Sequence, residues 1–189
     1  MPAFTIRFGG KASQIVTPVT VMPPFDPNGP PALVPEFKTM ALWDTGASKS
    51  CISPKVVEAL KLAPVGIAKM SHAGGTTDAN RHVVNFMLPN RVGCAGLVVT
   101  EFATSIGGAF EVIIGMDILV LGDMSLTHVD GKTCMSFRIP SKAEHDFVQE
   151  ERKAFFAGVG RNDPCPCGKM ENGRRLKYKQ CHGASKPAQ

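Results

Sequence analysis

No apolar stretch in this sequence approaches the ~18–20 residues needed to cross a bilayer. The opening segment Met1-Pro2-Ala3-Phe4-Thr5-Ile6-Arg7 lacks the long apolar core of a secretory leader, which predicts a cytoplasmic chain with no transmembrane segment. No internal repeat is evident, which excludes solenoid and propeller architectures. Aromatic side chains are scarce at 7% and the first 158 residues carry no net charge, so a stacking, basic nucleic-acid surface on the body finds little support. The formal charge of +5 rests on the C-terminal segment. There Arg161, Lys169, Arg174, Arg175, Lys177, Lys179 and Lys186 face only Asp163 and Glu171. A patch of that kind points to an acidic partner for the tail, or is simply solvated.

What the chain does have is glycine (19), proline (15) and short runs of Val, Ile, Thr and Phe. Its 189 residues, 43% hydrophobic and 20% charged, suit one ordinary domain of about 100–150 residues with an appendage. The composition favours an all-β body. Strands are expected over 4–8, 13–21, 36–43, 65–71, 77–88, 96–102 and 111–114, with Pro18 marking an edge or bulge and 22–35 an extended excursion. Asp130-Gly131 predicts a tight hairpin between strands at 124–129 and 132–139. Ser53-Pro54 reads as an N-cap and first helical residue, with Val56, Val57 and Leu60 as the apolar stripe. Ile118, Leu119 and Leu121 suit a brief helix. Ser141-Lys142-Ala143-Glu144 has the form of a capping box and predicts a helix over about 142–157. The expected organisation is therefore a body at 1–140, a helical linker at 141–158 and a tail at 159–189.

Six cysteines divide in the same way. Cys51, Cys94 and Cys134 are spread through β-rich sequence, and Cys51 reads as a small buried hydrophobe. Cys165, Cys167 and Cys181 crowd beside His182, the donor set of a structural zinc site, in a segment too short to fold on a core of its own. Arg161-Asn162-Asp163-Pro164-Cys165-Pro166-Cys167-Gly168-Lys169 and Lys177-Tyr178-Lys179-Gln180-Cys181-His182-Gly183 closely resemble the SEC-C motif that ends the bacterial translocase ATPase SecA. The resemblance implies a bacterial docking module holding Zn2+, with the ribosome, a SecB-like chaperone or another acidic surface as partner. Thirteen residues separate Cys167 from Cys181, more than the family usually has, so Met170 to Leu176 reads as an inserted loop.

In the body, the apolar run Met40-Ala41-Leu42-Trp43 leads into Asp44-Thr45-Gly46-Ala47. About 70 residues later comes Val112-Ile113-Ile114-Gly115-Met116-Asp117-Ile118-Leu119. The pairing resembles the retropepsin-like aspartic proteases, which implies a closed barrel and an endopeptidase. Peptide hydrolysis without a metal needs one group to activate water and another to protonate the carbonyl. Two carboxyl groups sharing a proton do both. The sequence has a single Asp-Thr-Gly, and Asp117 belongs to the helical side of the pattern. An active pair therefore requires Asp44 from each subunit of a homodimer. Thr45 would brace the loop and Gly46 permit its turn. Residues 71–77 stand where the family has a mobile flap, which makes Gly74, Gly75 and Thr76 the expected substrate-binding tip for a peptide or protein substrate. Met116 occupies a position where the family often has Arg. The same Asp-Thr-Gly also suits a plain capped turn, and a non-catalytic dimeric adaptor working through its tail is the rival reading. Ser48 and Ser50 have no paired base nearby, and His72, His82 and His128 are scattered.

Overall fold

The computed structural model describes residues 2–25, 33–72, 75–102 and 109–184, which fall into two compact units, Met1–Ala143 and Glu144–Gln189. In the first unit the strands are β1 (Ala3–Arg7), β2 (Val16–Met22), β3 (Phe37–Trp43), β4 (Cys51–Ile52), β5 (Gly66–His72), β6 (Gly75–Leu88), β7 (Val92–Glu101), β8 (Val112–Ile114), β9 (Asp123–Thr127) and β10 (Cys134–Arg138). Two helices interrupt them, α1 (Pro54–Leu60) and α2 (Met116–Leu119). The order β2-β3-β8-β4-β7-β6 closes on itself through a β2–β6 pairing, giving a six-stranded barrel. Pairing is parallel at β3–β8 and β4–β7 and antiparallel at the other four seams. β5 pairs with β6 as a long hairpin.

Alternation explains the barrel. On β2, Thr17, Val19 and Val21 turn inward, and Val84, Phe86 and Leu88 do the same on β6. A register shift between Val84 and Phe86 marks a bulge, which bends β6. Val21, Ala41, Ile52, Val56, Val99, Val112, Ile114 and Ile118 complete a core with no solvent contact. Pro18 does not sit on an edge, because β2 is paired on both sides. It is tolerated because the ladder to β6 covers only Thr20–Met22.

The expected cap at Ser53 is present: its side chain accepts from the Val56 amide, and Lys61 ends α1 in a left-handed conformation. Asp130 (φ 52) and Gly131 (φ 71) make the expected tight turn joining β9 to β10, and β1 adds on to give a β1-β10-β9 sheet. β7 starts at Val92, earlier than the expected residue 96. Asn90 (φ 54) and Arg91 (φ 59) supply the left-handed turn that lets β6 reverse directly into it.

The capping box at Ser141 is not used. Asp123 accepts from the Ser141 hydroxyl, from the Lys142 and Ala143 amides and from Arg138, and these contacts hold its carboxyl well below the usual carboxylate range, Ser141 contributing most. With those amides occupied, α3 begins later, at Phe147–Phe155, where Asp146 caps the Gln149 amide. Gly122 is required just before Asp123, since a Cβ there would collide with the Arg138 carbonyl oxygen.

The small sheet is tied to the barrel through an aromatic cluster. Trp43, the last residue of β3, packs edge-on against Phe137 of β10 at 4.9 Å and lies 6.0 Å from Phe4 of β1. Its buried Nε1–H donates to Thr17 Oγ1 at 2.9 Å. Thr17→Val keeps the shape and removes the acceptor. Urea denaturation should show a loss of about 1–3 kcal/mol. A loss under about 0.5 kcal/mol would mean that Trp43 is not held this way.

Candidate active site and candidate metal centre

β3 ends at Trp43 and delivers Asp44 into a tight turn. The Asp44 amide donates to the Ile114 carbonyl at 3.0 Å, which locks the end of β3 to the end of β8. The Asp44 carboxylate accepts the Gly46 amide through Oδ1 at 2.8 Å, and the Ala47 amide donates to the Asp44 carbonyl. A Cβ at Gly46 would come within 3.1 Å of that carboxylate oxygen. Asp44 is half-buried, and Thr45, Gly46, Ser48 and Lys49 are exposed. Among the described residues no Lys, Arg or His pairs with the Asp44 carboxylate.

The turn is clamped from behind by the apolar-apolar-Gly segment. Met116 N–H donates to the Ala47 carbonyl at 2.8 Å. Buried Ser50 donates its hydroxyl to Asp117 Oδ1 at 2.7 Å and its amide to the same carboxylate at 3.0 Å, and its Oγ accepts from the Gly115 amide at 3.1 Å. Gly115 makes this closeness possible, because a Cβ there would lie 2.6 Å from the Lys49 carbonyl carbon and 2.8 Å from the Ala47 oxygen. Asp117 is therefore a structural anchor engaged by Ser50, in keeping with its place on the helical side of the pattern. Ala47 also packs on an apolar cluster of Cys51, Phe102, Phe110 and Ile113. Burial, then the charges of Asp117 and Asp44, push the Cys51 thiol up to about 11, which suits an inert packing residue.

Of the expected flap residues, Gly74 lies outside the described residues. Gly75 opens β6 at φ 121, a conformation that favours glycine, and pairs with His72, while Thr76 pairs with Ser71. Of the other histidines, His82 is buried, with Nδ1 on the Ala63 carbonyl at 3.2 Å and Nε2 3.5 Å from Glu101, and His128 contacts Thr133.

In the second unit the four predicted metal-ligating side chains converge. Their ligand atoms all lie within 4.8 Å of one another. His182 Nδ1 is 3.4 Å from Cys165 Sγ and 3.3 Å from Cys181 Sγ, and Cys167 and Cys181 sulfurs are 3.6 Å apart. Tetrahedral zinc, with bonds of about 2.3 Å to sulfur and about 2.0–2.1 Å to nitrogen, needs edges of about 3.8 Å and about 3.6 Å. Burial raises the Cys165 thiol, but the Cys167 amide and the His182 side chain outweigh it and bring it down to about 6. Three thiols and an imidazole at these spacings can hold a divalent cation of zinc's preferences.

Backbone bonds bring the two ligand turns together. Cys165 N–H donates to the Leu176 carbonyl at 2.7 Å and Tyr178 N–H to the Asp163 carbonyl at 2.8 Å. The segment read as an inserted loop is a minimal hairpin, β11 (Met170–Glu171) against β12 (Arg174–Arg175), turned by Asn172 (φ 48) and Gly173 (φ 74). Phe156, next after α3, stacks on the His182 ring at 4.7 Å and lies 5.4 Å from Tyr178. Together with Gln149, Arg152 and Lys153 these rings line an open cleft of about 420 Å³.

Sequence reasoning missed the roles of Ser50 and Phe156. Ser50 carried no signal, since nothing local marks a serine that bonds a carboxylate 67 positions away. The Asn172-Gly173 dipeptide was a readable hairpin signal.

Comparison with known proteins finds a family model and individual relatives that match parts of the chain. Residues 33–120, which span β3 to α2, match the family model described as "gag-polyprotein putative aspartyl protease". Protein translocase subunit SecA of Solidesulfovibrio magneticus is 37% identical over 62 residues, 33% of this chain and 7% of SecA. SecA of Herminiimonas arsenicoxydans is 43% identical over 44 residues, 23% and 4% respectively. The chain therefore spans less than a tenth of the length of these curated relatives. A crystal structure of a retropepsin-like aspartic protease from Rickettsia conorii aligns with 71% of this chain and 91% of its own, at 10% identity and a TM-score of 0.43. Over residues 33–120 the body is thus similar to the putative aspartyl proteases of gag polyproteins, and the chain shares with SecA a short stretch that fits the C-terminal Cys/His cluster.

Proposed function

We propose that this protein is an aspartic endopeptidase that works as a homodimer, with Asp44 as the catalytic residue of each subunit. The observation that carries the reading is the Asp44 turn, which presents a half-buried carboxylate that no described cation neutralises, on a loop fixed at both ends. In the dimer, two such carboxyl groups face one another and hold one proton between them. The ionised one takes a proton from a bound water as that water attacks the peptide carbonyl, and the protonated one gives its proton to the carbonyl oxygen. Thr45 braces the two loops, Gly46 leaves room for the substrate backbone, and the hairpin tip around Gly74, Gly75 and Thr76 covers the peptide. This chemistry calls for no metal.

The domain plan that goes with this reading is a protease domain at 1–140, a helical linker at 141–158 and a docking tail at 159–189. Cys165, Cys167, Cys181 and His182 hold a structural zinc ion that gives the tail its fold, as its few buried residues require. The cations Arg152 and Lys153 at the cleft, with those of the tail, suit an acidic surface on a chaperone, the ribosome or a substrate. The protein acts in the bacterial cytoplasm.

Two outcomes test this. Asp44→Asn should lower cleavage of a peptide library between pH 3 and 8 by at least about 100-fold with an unchanged melting temperature; equal cleavage by both proteins sinks the peptidase. Metal analysis should find one zinc per chain, lost in Cys165→Ser while the barrel's unfolding transition stays in place. Undiminished zinc in that variant refutes the ligand set.

A further inference from the structure

We propose that Phe156, the residue that closes α3, is the positioning residue for the His182 imidazole, so that the helix sets the geometry of the metal site. The inference rests on the reading of Cys165, Cys167, Cys181 and His182 as zinc ligands, and adds the group that aims one of them.

The four ligands are not equally held. Cys165 is buried and Cys181 half-buried, whereas Cys167 and His182 are exposed. An imidazole swings about two side-chain bonds, against one for a thiol. An exposed histidine ligand therefore needs something to fix its ring. The usual device is a hydrogen bond from the second ring nitrogen to a carboxylate or carbonyl oxygen. His182 turns Nδ1 toward the sulfurs of Cys165 and Cys181, at 3.4 and 3.3 Å, and among the described residues no acceptor bonds to its Nε2.

Phe156 supplies the constraint instead. Its ring lies 4.7 Å from the imidazole with 30° between the two planes, a stacked arrangement. A stack fixes the tilt of the imidazole plane, and the tilt sets the direction of the Nδ1 lone pair. The same ring is 5.4 Å from that of Tyr178. Tyr178 in turn buttresses the ligand turn: its carbonyl accepts from the Cys181 amide at 3.0 Å and the Gly183 amide at 2.8 Å. It packs so closely on Gly183 that a Cβ there would lie 2.6 Å from its Cδ1. Phe156 is itself held by the helix. Its N–H donates to the Arg152 carbonyl at 3.2 Å, and the Phe155 ring packs edge-on against it at 5.0 Å.

The test uses the full chain. Phe156→Ala should raise the zinc dissociation constant, read by competition with a chromogenic chelator, about 10-fold or more. It should also alter the visible bands of the cobalt-substituted protein, which report the ligand geometry. Phe156→Tyr keeps a ring and should restore both. Val148→Ala, at an exposed site on the same helix, should change neither. In a His182→Cys background the fourth ligand has no ring to aim, so Phe156→Ala should cost nothing further there. A Phe156→Ala chain with wild-type affinity and spectrum, or one that loses as much in the His182→Cys background, overturns this role and leaves the ligand set standing. A wild-type chain that takes up no zinc overturns both.

Discussion

The Asp117 carboxylate, gripping Ser50 by its hydroxyl and its amide, is the constraint on which the rest of the body depends. Through Ser50 Oγ it also holds the Gly115 amide, so one side chain fixes the exit of the Asp44 loop against the exit of β8. The entrance is fixed by the Asp44 amide on the Ile114 carbonyl. Under the proposed reading, a loop pinned at both ends loses little further freedom on binding a substrate, which is what orienting a carboxylate for proton transfer would require. The apolar barrel stands behind this. Ile114, Val112 and Ile52 are wholly buried, and they place β3, β8 and β4 in the register that lets Ser50 reach Asp117.

The two units are held together by different forces. The barrel has a continuous apolar core, and among its buried polar side chains Thr17 and Ser50 are satisfied, whereas Nε2 of His82 has no hydrogen-bond partner. The second unit has Cys165 as its buried hydrophobic residue among those described, and relies on a ring stack, a few backbone bonds and four convergent ligand side chains. Such a segment gains its structure from what it binds. The stack of Phe156 on His182 joins α3 to the ligand cluster within that unit, so the helix that leads out of the barrel is part of the tail's structure.

Local chemistry was legible in the sequence and long-range chemistry was not. The Ser53-Pro54 start of α1, the Asp130-Gly131 turn and the clustering of Cys165, Cys167, Cys181 and His182 each depend on residues close in the chain, and each is present. The closed barrel followed from composition and resemblance, while its closure through Thr20–Met22 against β6 did not, because register is set by partners 60 or more residues away. The Ser141 capping box failed for the same reason: Asp123, far upstream, takes the hydroxyl and amides that would have started the helix there. The two-residue strand β4 is too short to show any alternation, yet it closes the barrel between β8 and β7.

The account stands on one carboxyl group from each of two subunits forming a single site. Dimers containing one wild-type chain and one Asp44→Asn chain, isolated through two different affinity tags, put that to the most direct test. The account predicts that the mixed dimers cleave no faster than the double-mutant background, because each holds half a pair. Mixed dimers that retain half of the wild-type rate would show that each subunit carries a complete site by itself, and would contradict it.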